Sequence, residues 1–145
     1  MKCLFQLIPL VTAVSAVNVL LFAGSNRCGD ASYFICTNIS RFQCCNSMLP
    51  VIFQSVAIQA APEGVNATLY GSEDTQCSFK TPARPGQTCL PGRWNSASWS
   101  PTTAVAEARS QEAECQEPDH FVHENGTIYD LAEVKMEDVL RMIPQ

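Results

Sequence analysis

The chain has 145 residues, of which 46% are hydrophobic and only 16% are charged. This composition suits one domain with a buried core and argues against disorder. The net charge is −5, and the nine lysines and arginines are scattered without forming a basic stripe. We therefore expect no nucleic acid as a partner.

The first sixteen residues have the pattern of a secretory signal peptide. Lys2 supplies the positive start, residues 4–13 are almost all apolar, and Val14-Ser15-Ala16 places small residues where signal peptidase cuts. We predict cleavage after Ala16 and a single secreted, extracellular domain over residues 17–145. A second candidate cleavage site follows Ala23-Gly24-Ser25.

A membrane anchor is the alternative, because residues 3–26 carry no charge and are long enough to span a bilayer. Pro9, Asn18 and the lack of a positive cluster on either flank disfavour an anchor. We therefore expect no stable membrane insertion once the signal peptide has been removed.

Alternating apolar residues predict the first strands. Residues 17–22 (VNVLLF) are interpreted as the first strand of the mature domain, and residues 31–36 and 51–59 as further strands. Residues 65–70 are expected to return beside residues 51–59 after a turn at Pro62-Glu63-Gly64.

The composition shifts between residues 79 and 103, where Pro, Gly, Ser and Thr accumulate. This pattern predicts an irregular, loop-rich segment. The segment contains both tryptophans, Trp94 and Trp99. They either fill the core beneath the loop or form an exposed aromatic pair that recognises a ligand or a sugar.

The C-terminal third combines helix and strand signals. Residues 102–115 are rich in Ala and Glu, which is typical of a weakly amphipathic linker helix. Residues 121–131 predict a hairpin with Asn125-Gly126 in a two-residue primed turn. Residues 133–143 place apolar side chains near one helical face, so we expect a C-terminal helix that packs on the sheet.

Seven cysteines remain after the signal peptide has been removed. This number is typical of secreted proteins and predicts three disulfides with one thiol left over, which leaves a disulfide-linked dimer open. Adjacent Cys44 and Cys45 should bond to different elements, and Cys28 and Cys36 could each reach this pair. The spacing matches no zinc site. The candidate disulfide residues are Cys28, Cys36, Cys44, Cys45, Cys77, Cys89 and Cys115.

Three Asn-x-Ser/Thr sequons make Asn38, Asn66 and Asn125 candidates for N-glycosylation. Export would bring all three to the glycosylation machinery. A glycan at any of them would require that residue to lie at the surface of the domain.

A faint internal repeat favours a duplicated β motif. Residues 21–25 (LFAGS) precede Cys28 and residues 69–72 (LYGS) precede Cys77, and each pattern is interpreted as a strand that enters a Gly-Ser turn. The expected fold class is mainly β: a small antiparallel β-sandwich with disulfides and a C-terminal helix, which two Greek-key-like repeats could build.

No catalytic constellation stands out. His120 and His123 lie three residues apart in a presumed strand, hence on opposite faces, and the chain has no G-x-S-x-G motif. Carboxylates such as Glu73 and Asp74 are typical of a solvated face. We therefore predict a non-enzymatic protein with no catalytic residue, no cofactor and no metal.

The layout Cys28…Cys36…Cys44-Cys45…Cys77…Cys89 behind a signal peptide resembles that of fungal small secreted cysteine-rich proteins, the class from which candidate effectors come. The segment SYFICTNISRFQCC and the two aromatic-Gly-Ser stretches carry this resemblance. The repeats also resemble the folded hairpins of βγ-crystallin-type domains, a scaffold that some killer toxins use. The calcium signature of that family has no clean match here.

These features predict a secreted, effector-like binding protein that acts outside the producing cell on an extracellular protein or a glycan. One alternative is a secreted toxin or antimicrobial β protein, which would arrest or kill cells. The other is a small extracellular hydrolase, which would need His120 or His123 beside a carboxylate in a pocket.

Overall fold

The computed structural model describes residues 16–47, 49–59, 66–104 and 114–143. Within these ranges eleven strands are accompanied by a 3₁₀ helix (Thr102–Ala104) and an α-helix, α1 (Met136–Met142). The strands are β1 (Ala16–Phe22), β2 (Tyr33–Ser40), β3 (Cys44–Asn46), β4 (Phe53–Gln59), β5 (Ala67–Ser72), β6 (Lys80–Pro82), β7 (Cys89–Trp94), β8 (Ser96–Pro101), β9 (Cys115–Gln116), β10 (His120–Val122) and β11 (Ile128–Asp130).

The strands form two sheets. Sheet A has six strands in the order β11-β10-β2-β1-β4-β7, and sheet B has five in the order β6-β5-β8-β3-β9. Neighbouring strands are antiparallel except β3 and β9, which run parallel. The predicted fold class, a mainly β protein with a C-terminal helix, is confirmed.

The first eight strands form two four-stranded units that exchange one strand. In the first repeat, β1 to β4, the strands β2-β1-β4 lie side by side in sheet A and β3 lies in sheet B. In the second repeat, β5 to β8, the strands β6-β5-β8 lie in sheet B and β7 lies in sheet A. Each unit thus places its third strand in the sheet of the other. The order is that of two Greek keys, as the sequence repeat predicts.

The inner faces of the two sheets enclose one hydrophobic core. Neighbouring strands of sheet A align one fully buried row of side chains: Phe121, Phe34, Leu21 and Val56. From sheet B, Trp99 and Leu69 face each other on β8 and β5, and α1 adds Val139. Burial of apolar area, at about 25 cal/mol per Å², makes this core the main stabilising term.

Both tryptophans belong to this core. Trp99 is fully buried, and its Nε1 donates to the carbonyl of Ile39 at 2.9 Å. Trp94 is 7% exposed, and its Nε1 donates to the carbonyl of Leu90 at 3.1 Å. The interpretation of Trp94 and Trp99 as an exposed recognition pair is therefore wrong, because both indoles bury their large apolar area and donate to backbone carbonyls.

Two glycines make room for the Trp94 ring. A Cβ placed on Gly71 or on Gly92 would lie 2.5 Å from ring atoms, so the indole packs directly against both backbones. Gly71 and Ser72, which the sequence predicts as a turn, instead lie within β5. The missing side chain of Gly71 allows the Trp94 ring to approach the backbone closely, and the strand does not turn there.

The segment predicted as irregular, residues 79–103, contains the whole of β6, β7 and β8. Its prolines misled the prediction. Pro82 lies in β6 and Pro91 lies in β7, and these are the edge strands of their sheets. An edge strand tolerates proline because one side of its backbone needs no ladder hydrogen bond.

The predicted hairpin over residues 121–131 is present as β10 and β11, but its turn differs. The amide of Gly126 donates to the carbonyl of His123 at 2.8 Å, and Gly126 has φ +93° while Asn125 has a negative φ. A primed two-residue turn needs positive φ at both central residues. The connection is instead a three-residue loop that ends on Gly126, and the Asn125 side chain accepts a bond from the amide of Thr127 at 2.9 Å.

Several other predictions overlap the observed elements in part. α1 lies inside the predicted helix over residues 133–143, and residues 102–104 form a 3₁₀ turn. Residues 105–113 of the predicted linker helix lie outside the described residues. The predicted turn at residues 62–64 and most of the predicted signal peptide also lie outside them.

The first repeat folds its hairpin loop back over sheet A. Residues 23–32, loop L1, connect β1 to β2. The amide of Cys28, which has φ 54°, donates to Ser55 Oγ at 3.1 Å, and the Ser55 hydroxyl donates to the carbonyl of Ser25. Ser55 is fully buried on β4, the fourth strand of the repeat.

The second repeat holds its hairpin loop in the same way. Residues 73–79, loop L2, connect β5 to β6. The amide of Cys77, which has φ 53°, donates to Ser96 Oγ at 3.3 Å, and the Ser96 hydroxyl donates to the carbonyl of Asp74 at 2.7 Å. Ser96 is fully buried on β8, again the fourth strand. Each loop is thus held by one buried serine that binds two backbone groups.

Replacement of either serine, Ser55→Ala or Ser96→Ala, should destabilise the folded state by about 1–3 kcal/mol, because a loop amide loses its acceptor and a loop carbonyl loses its donor. Ser78→Ala is the matched control, since Ser78 is exposed in L2. Urea unfolding with the disulfides intact measures the difference. A loss for Ser96→Ala no larger than that for Ser78→Ala would contradict the role given to these serines.

Gly71→Ala should cost about 1–3 kcal/mol, because a methyl group at this position overlaps the Trp94 ring and a packed core accommodates extra volume poorly. Gly24→Ala should be tolerated, since the nearest atom to a Cβ there is 3.7 Å away. Thermal unfolding compares the two variants, and the near-UV circular dichroism of Trp94 should change only in Gly71→Ala. Equal melting temperatures would show that the packing against Gly71 is not needed.

Candidate functional site

Six of the seven cysteines in the described residues form three disulfides: Cys28–Cys89, Cys36–Cys45 and Cys44–Cys77. Cys115 is a half-buried thiol. As the sequence predicts for residues 17–145, the described cysteines form three disulfides and leave one thiol over, and Cys44 and Cys45 bond to different elements.

The prediction that Cys28 could reach the Cys44-Cys45 pair is wrong, although it holds for Cys36. L1 folds over the outer face of sheet A, and there Cys28 meets Cys89 on β7. The third strand of the second repeat lies in that sheet, so the bond links the two repeats.

The three sequon asparagines are all exposed. Asn38 lies in β2 with φ 55°, opposite an irregularity in the pairing of β1 and β2, and its amide donates to Asn18 Oδ1 at 3.2 Å. Asn66 directly precedes β5, and Asn125 lies in the β10–β11 loop. These positions give each side chain the surface placement that a glycan needs.

The structure joins His120 to a carboxylate. His120 Nδ1 lies 3.2 Å from Asp119 Oδ2, and both side chains are about one-third exposed. The same carboxylate accepts bonds from the amide of Thr37, at 2.9 Å, and from its hydroxyl. The Thr37 hydroxyl thus donates to Asp119 rather than to the imidazole, so this group is not a nucleophile held against a base.

His123 lies one residue past the end of β10, and its Nδ1 accepts a bond from the amide of Asn125 at 3.2 Å. The two histidines therefore occupy separate surroundings, as their spacing predicts. Among the described residues, no group of three or more His, Cys, Asp and Glu side chains is placed to hold a metal ion.

The outer face of sheet A carries a second apolar cluster. Leu20 and Phe22 of β1 and Ala57 of β4 are buried there, although this face points away from the core. Cys28 of L1 packs on this cluster. L1 therefore covers the half of the face that β1 and β4 form.

The other half of this face, on β2, β10 and β11, is only partly covered. We define the outer patch as Tyr33, Ile35, His120, Val122 and Ile128. Tyr33 pairs with Val122, and Val122 pairs with Ile128; in the next row Ile35 pairs with His120. Ile128 is 66% exposed at the edge strand β11.

Carboxylates lie along the rim of the outer patch. Asp130 pairs with His120 on β11, Asp119 holds the His120 ring, and Glu124 follows β10. Glu124 is fixed by a bond from its amide to Ser32 Oγ at 3.0 Å. The patch therefore combines an apolar centre with a negatively charged rim.

The Tyr33 ring is already engaged within the protein. It lies 4.8 Å from the Phe22 ring, centroid to centroid, at an interplanar angle of 35°. Phe22 is buried, so Tyr33 contributes an aromatic edge to the patch rather than a free platform.

A second exposed apolar side chain lies at the end of L2. Phe79 is 79% exposed and follows Cys77 by two residues. Burial lowers the pKa of neighbouring Lys80 below its ordinary value, and the nearby Asp74 charge partly opposes this shift. Phe79 stands alone, whereas Ile128 belongs to a continuous surface with Val122 and Tyr33.

The sequence contains a signal for the apolar outer face of β1 that our predictions missed. Residues 19–22 (VLLF) are apolar without interruption, although one face of a strand at a sandwich surface is usually polar. Such a run indicates a strand that is covered on both faces. The apolar outer face of β1 follows from this run.

A family model described as ARB_05566_N, an N-terminal domain, matches residues 18–119, which is more than half of the chain. The chain belongs to the ARB_05566_N family. The ARB_05566_N match runs from within β1 through β9, so the β10–β11 hairpin and α1 lie beyond it. No curated protein and no solved structure matches the chain. Within the described ranges, no helix is both long and apolar enough to cross a membrane.

Proposed function

We propose that this ARB_05566_N protein is a secreted, non-enzymatic binding protein that acts outside the producing cell, with the outer patch as its recognition surface. The observation that carries the proposal is the continuous, partly covered apolar half of the sheet A outer face, which ends at the exposed side chain of Ile128. Contiguous exposed apolar surface with a polar rim is typical of a protein interaction site.

Secretion is supported by the disulfides, since such bonds form and persist in oxidising compartments. Cleavage of a signal peptide after Ala16 would keep almost all of β1. Cleavage after Ser25 would remove β1, which pairs with both β2 and β4 inside sheet A. The fold therefore favours the earlier site, and the exposed sequons Asn38, Asn66 and Asn125 would then be glycosylated.

The fungal, effector-like character and the relation to βγ-crystallin-type domains are part of the same proposal. The exchange of third strands between two Greek keys supports the relation, as do the folded hairpin loops L1 and L2. The effector role rests on the cysteine layout and the predicted export.

A protein partner fits the outer patch better than a glycan. Sugars bind to free aromatic faces, whereas both tryptophans are buried and Tyr33 is packed against Phe22. The patch is aliphatic at Ile35, Val122 and Ile128. The carboxylate rim would pair with Lys or Arg around an apolar centre on the partner.

The purified secreted protein should begin at Val17, contain three disulfides and one thiol, and carry glycans. Intact mass before and after deglycosylation and reduction measures all three properties, and alkylation before reduction should label Cys115 alone. A product that begins at Met1 or Asn26, or one in which all thiols are free, would contradict the proposed export and maturation.

A photo-crosslinking residue placed at Ile128 should form protein adducts when the glycosylated protein is incubated with extracellular fluid from the cells that it meets. The same residue at Phe79 is the matched control, because Phe79 is also an exposed apolar side chain. The Ile128 adducts should disappear in the presence of excess unlabelled protein and persist in the presence of excess Ile128→Asp variant, because a carboxylate in place of the exposed Ile128 side chain disfavours apolar contact.

The opposite result would be adducts of equal yield at both positions, competition by the Ile128→Asp variant, or capture of polysaccharide alone. Each of these outcomes would remove the outer patch as the recognition surface for a protein. Circular dichroism of the Ile128→Asp variant checks that its fold is retained.

A further inference from the structure

The Cys115 thiol lies beside the disulfide that holds L2. Cys115 in β9 is directly paired with Cys44 in the parallel strand β3, and the amide of Cys44 donates to the carbonyl of Glu114 at 2.6 Å. Paired residues of neighbouring strands project to the same face and lie about 4.8 Å apart. This separation is within the range of Cα distances that a disulfide spans. Cys44 could therefore bond to Cys115 as well as to Cys77.

The strand order places the two possible partners of Cys44 on opposite sides of it. Cys115 lies on the β9 side. Cys77 lies on the β8 side, where its Sγ and its amide are each 3.3 Å from Ser96 Oγ. Displacement at sulfur proceeds with the attacking and leaving sulfurs on opposite sides of the central one. The order β8-β3-β9 places Cys115 on the opposite side of β3 from Ser96, the residue that Cys77 contacts.

We propose that Cys115 is the attacking thiol of an intramolecular thiol–disulfide exchange that releases loop L2. The Cys115 thiolate attacks Cys44 Sγ, the Cys44–Cys115 bond forms, and the Cys44–Cys77 bond breaks. Cys77 leaves as a thiolate and takes from solvent the proton that Cys115 gave up. The number of disulfides and thiols is unchanged, so the step needs no oxidant or reductant.

The surroundings of Cys77 suit a departing thiol. The Ser96 hydroxyl already donates to the carbonyl of Asp74, so its oxygen can accept a bond from a protonated Cys77 thiol at 3.3 Å. The first repeat has no equivalent step among the described cysteines, because Cys28 bonds to Cys89 and the remaining thiol lies in the other sheet.

The exchange would change what covers the outer face of sheet B. After release of Cys77, L2 is held by hydrogen bonds alone, including those from Asn46 to the carbonyl of Thr75 and from Asn95 to the carbonyl of Glu73. Beneath and beside L2, β5 and β8 carry hydroxyl side chains that are buried on this face: Thr68, Tyr70, Ser72, Ser96, Ser98 and Ser100. Opening of L2 would expose the Ser72–Ser96 end of this hydroxyl surface.

The wild-type chain tests the proposal directly. Protein isolated at pH 5 is incubated at a series of pH values up to 8.5, quenched with acid and mapped by non-reducing mass spectrometry. Peptides that link Cys44 to Cys115 should appear, and their initial rate of appearance should rise with pH, because the thiolate is the nucleophile. The rate should not depend on protein concentration, and Cys115→Ser should abolish these peptides.

The variant Cys77→Ser tests the geometry separately. When it folds in a glutathione buffer, Cys44 and Cys115 should bond to each other and leave no thiol that reacts with iodoacetamide. Cys44→Ser is the matched control, in which Cys77 and Cys115 should both stay reactive. If Cys77→Ser fails to fold, the disulfide map of the wild-type chain alone tests the proposal.

The proposed exchange would be contradicted if the disulfide map of the wild-type chain contained no Cys44–Cys115 peptides at any pH. Peptides that occur only in disulfide-linked dimers would overturn it equally, as would a folded Cys77→Ser variant with two free thiols. None of these results would affect the outer patch, which lies on sheet A.

Discussion

Two buried serines and two disulfides hold the hairpin loops of this protein against its sheets, and the rest of the structure depends on this arrangement. In each repeat a serine on the fourth strand binds an amide and a carbonyl of the loop. A cysteine with positive φ stands in each loop, at Cys28 and at Cys77. Its disulfide reaches the third strand of the other repeat, through Cys89 or Cys44. Each loop is therefore bound to its own repeat by the serine and to the other repeat by the disulfide.

The exchange of third strands makes the two repeats a single unit. The Cys28–Cys89 and Cys44–Cys77 bonds close chain segments of 61 and 33 residues, longer than the 9 residues between Cys36 and Cys45. In the chain-entropy account, longer segments give larger stabilisation, about 4 kcal/mol for each of the two cross-repeat bonds. The third bond ties β2 of sheet A to β3 of sheet B, which belong to the same repeat. All three disulfides therefore oppose separation of the repeats or of the sheets.

The outer faces of the two sheets differ, although loops L1 and L2 are held in equivalent ways. On sheet B, the face under and beside L2 is made of buried hydroxyl groups, and a third cysteine stands beside the disulfide. On sheet A, L1 covers the β1–β4 half, while the β10–β11 hairpin extends the sheet beyond the ARB_05566_N match and leaves an apolar patch. The duplication supplies the scaffold, and the two functional proposals concern residues where the repeats differ.

The sequence predicted the class of fold because its strongest signals are local. Alternation located β1, β2 and β4, and the number of cysteines implied the disulfide count. The prolines of residues 82 and 91 misled the prediction, because only the strand order shows that they lie on edge strands. The pairing of Cys28 with Cys89 and the burial of Trp94 under Gly71 and Gly92 depend on the exchange of third strands, which joins residues far apart in the chain. The outer patch was missed for the same reason, since β10 meets β2 only in the folded sheet.

The disulfide map of the native secreted protein, trapped at acid pH before any exchange, tests the central claim most directly. The account predicts that Cys28 is bonded to Cys89 and Cys77 to Cys44, so that each hairpin loop is bound to the repeat that did not produce it. A map in which Cys28 is bonded to Cys36, Cys44 or Cys45, or in which the bonds stay within each repeat, would contradict it.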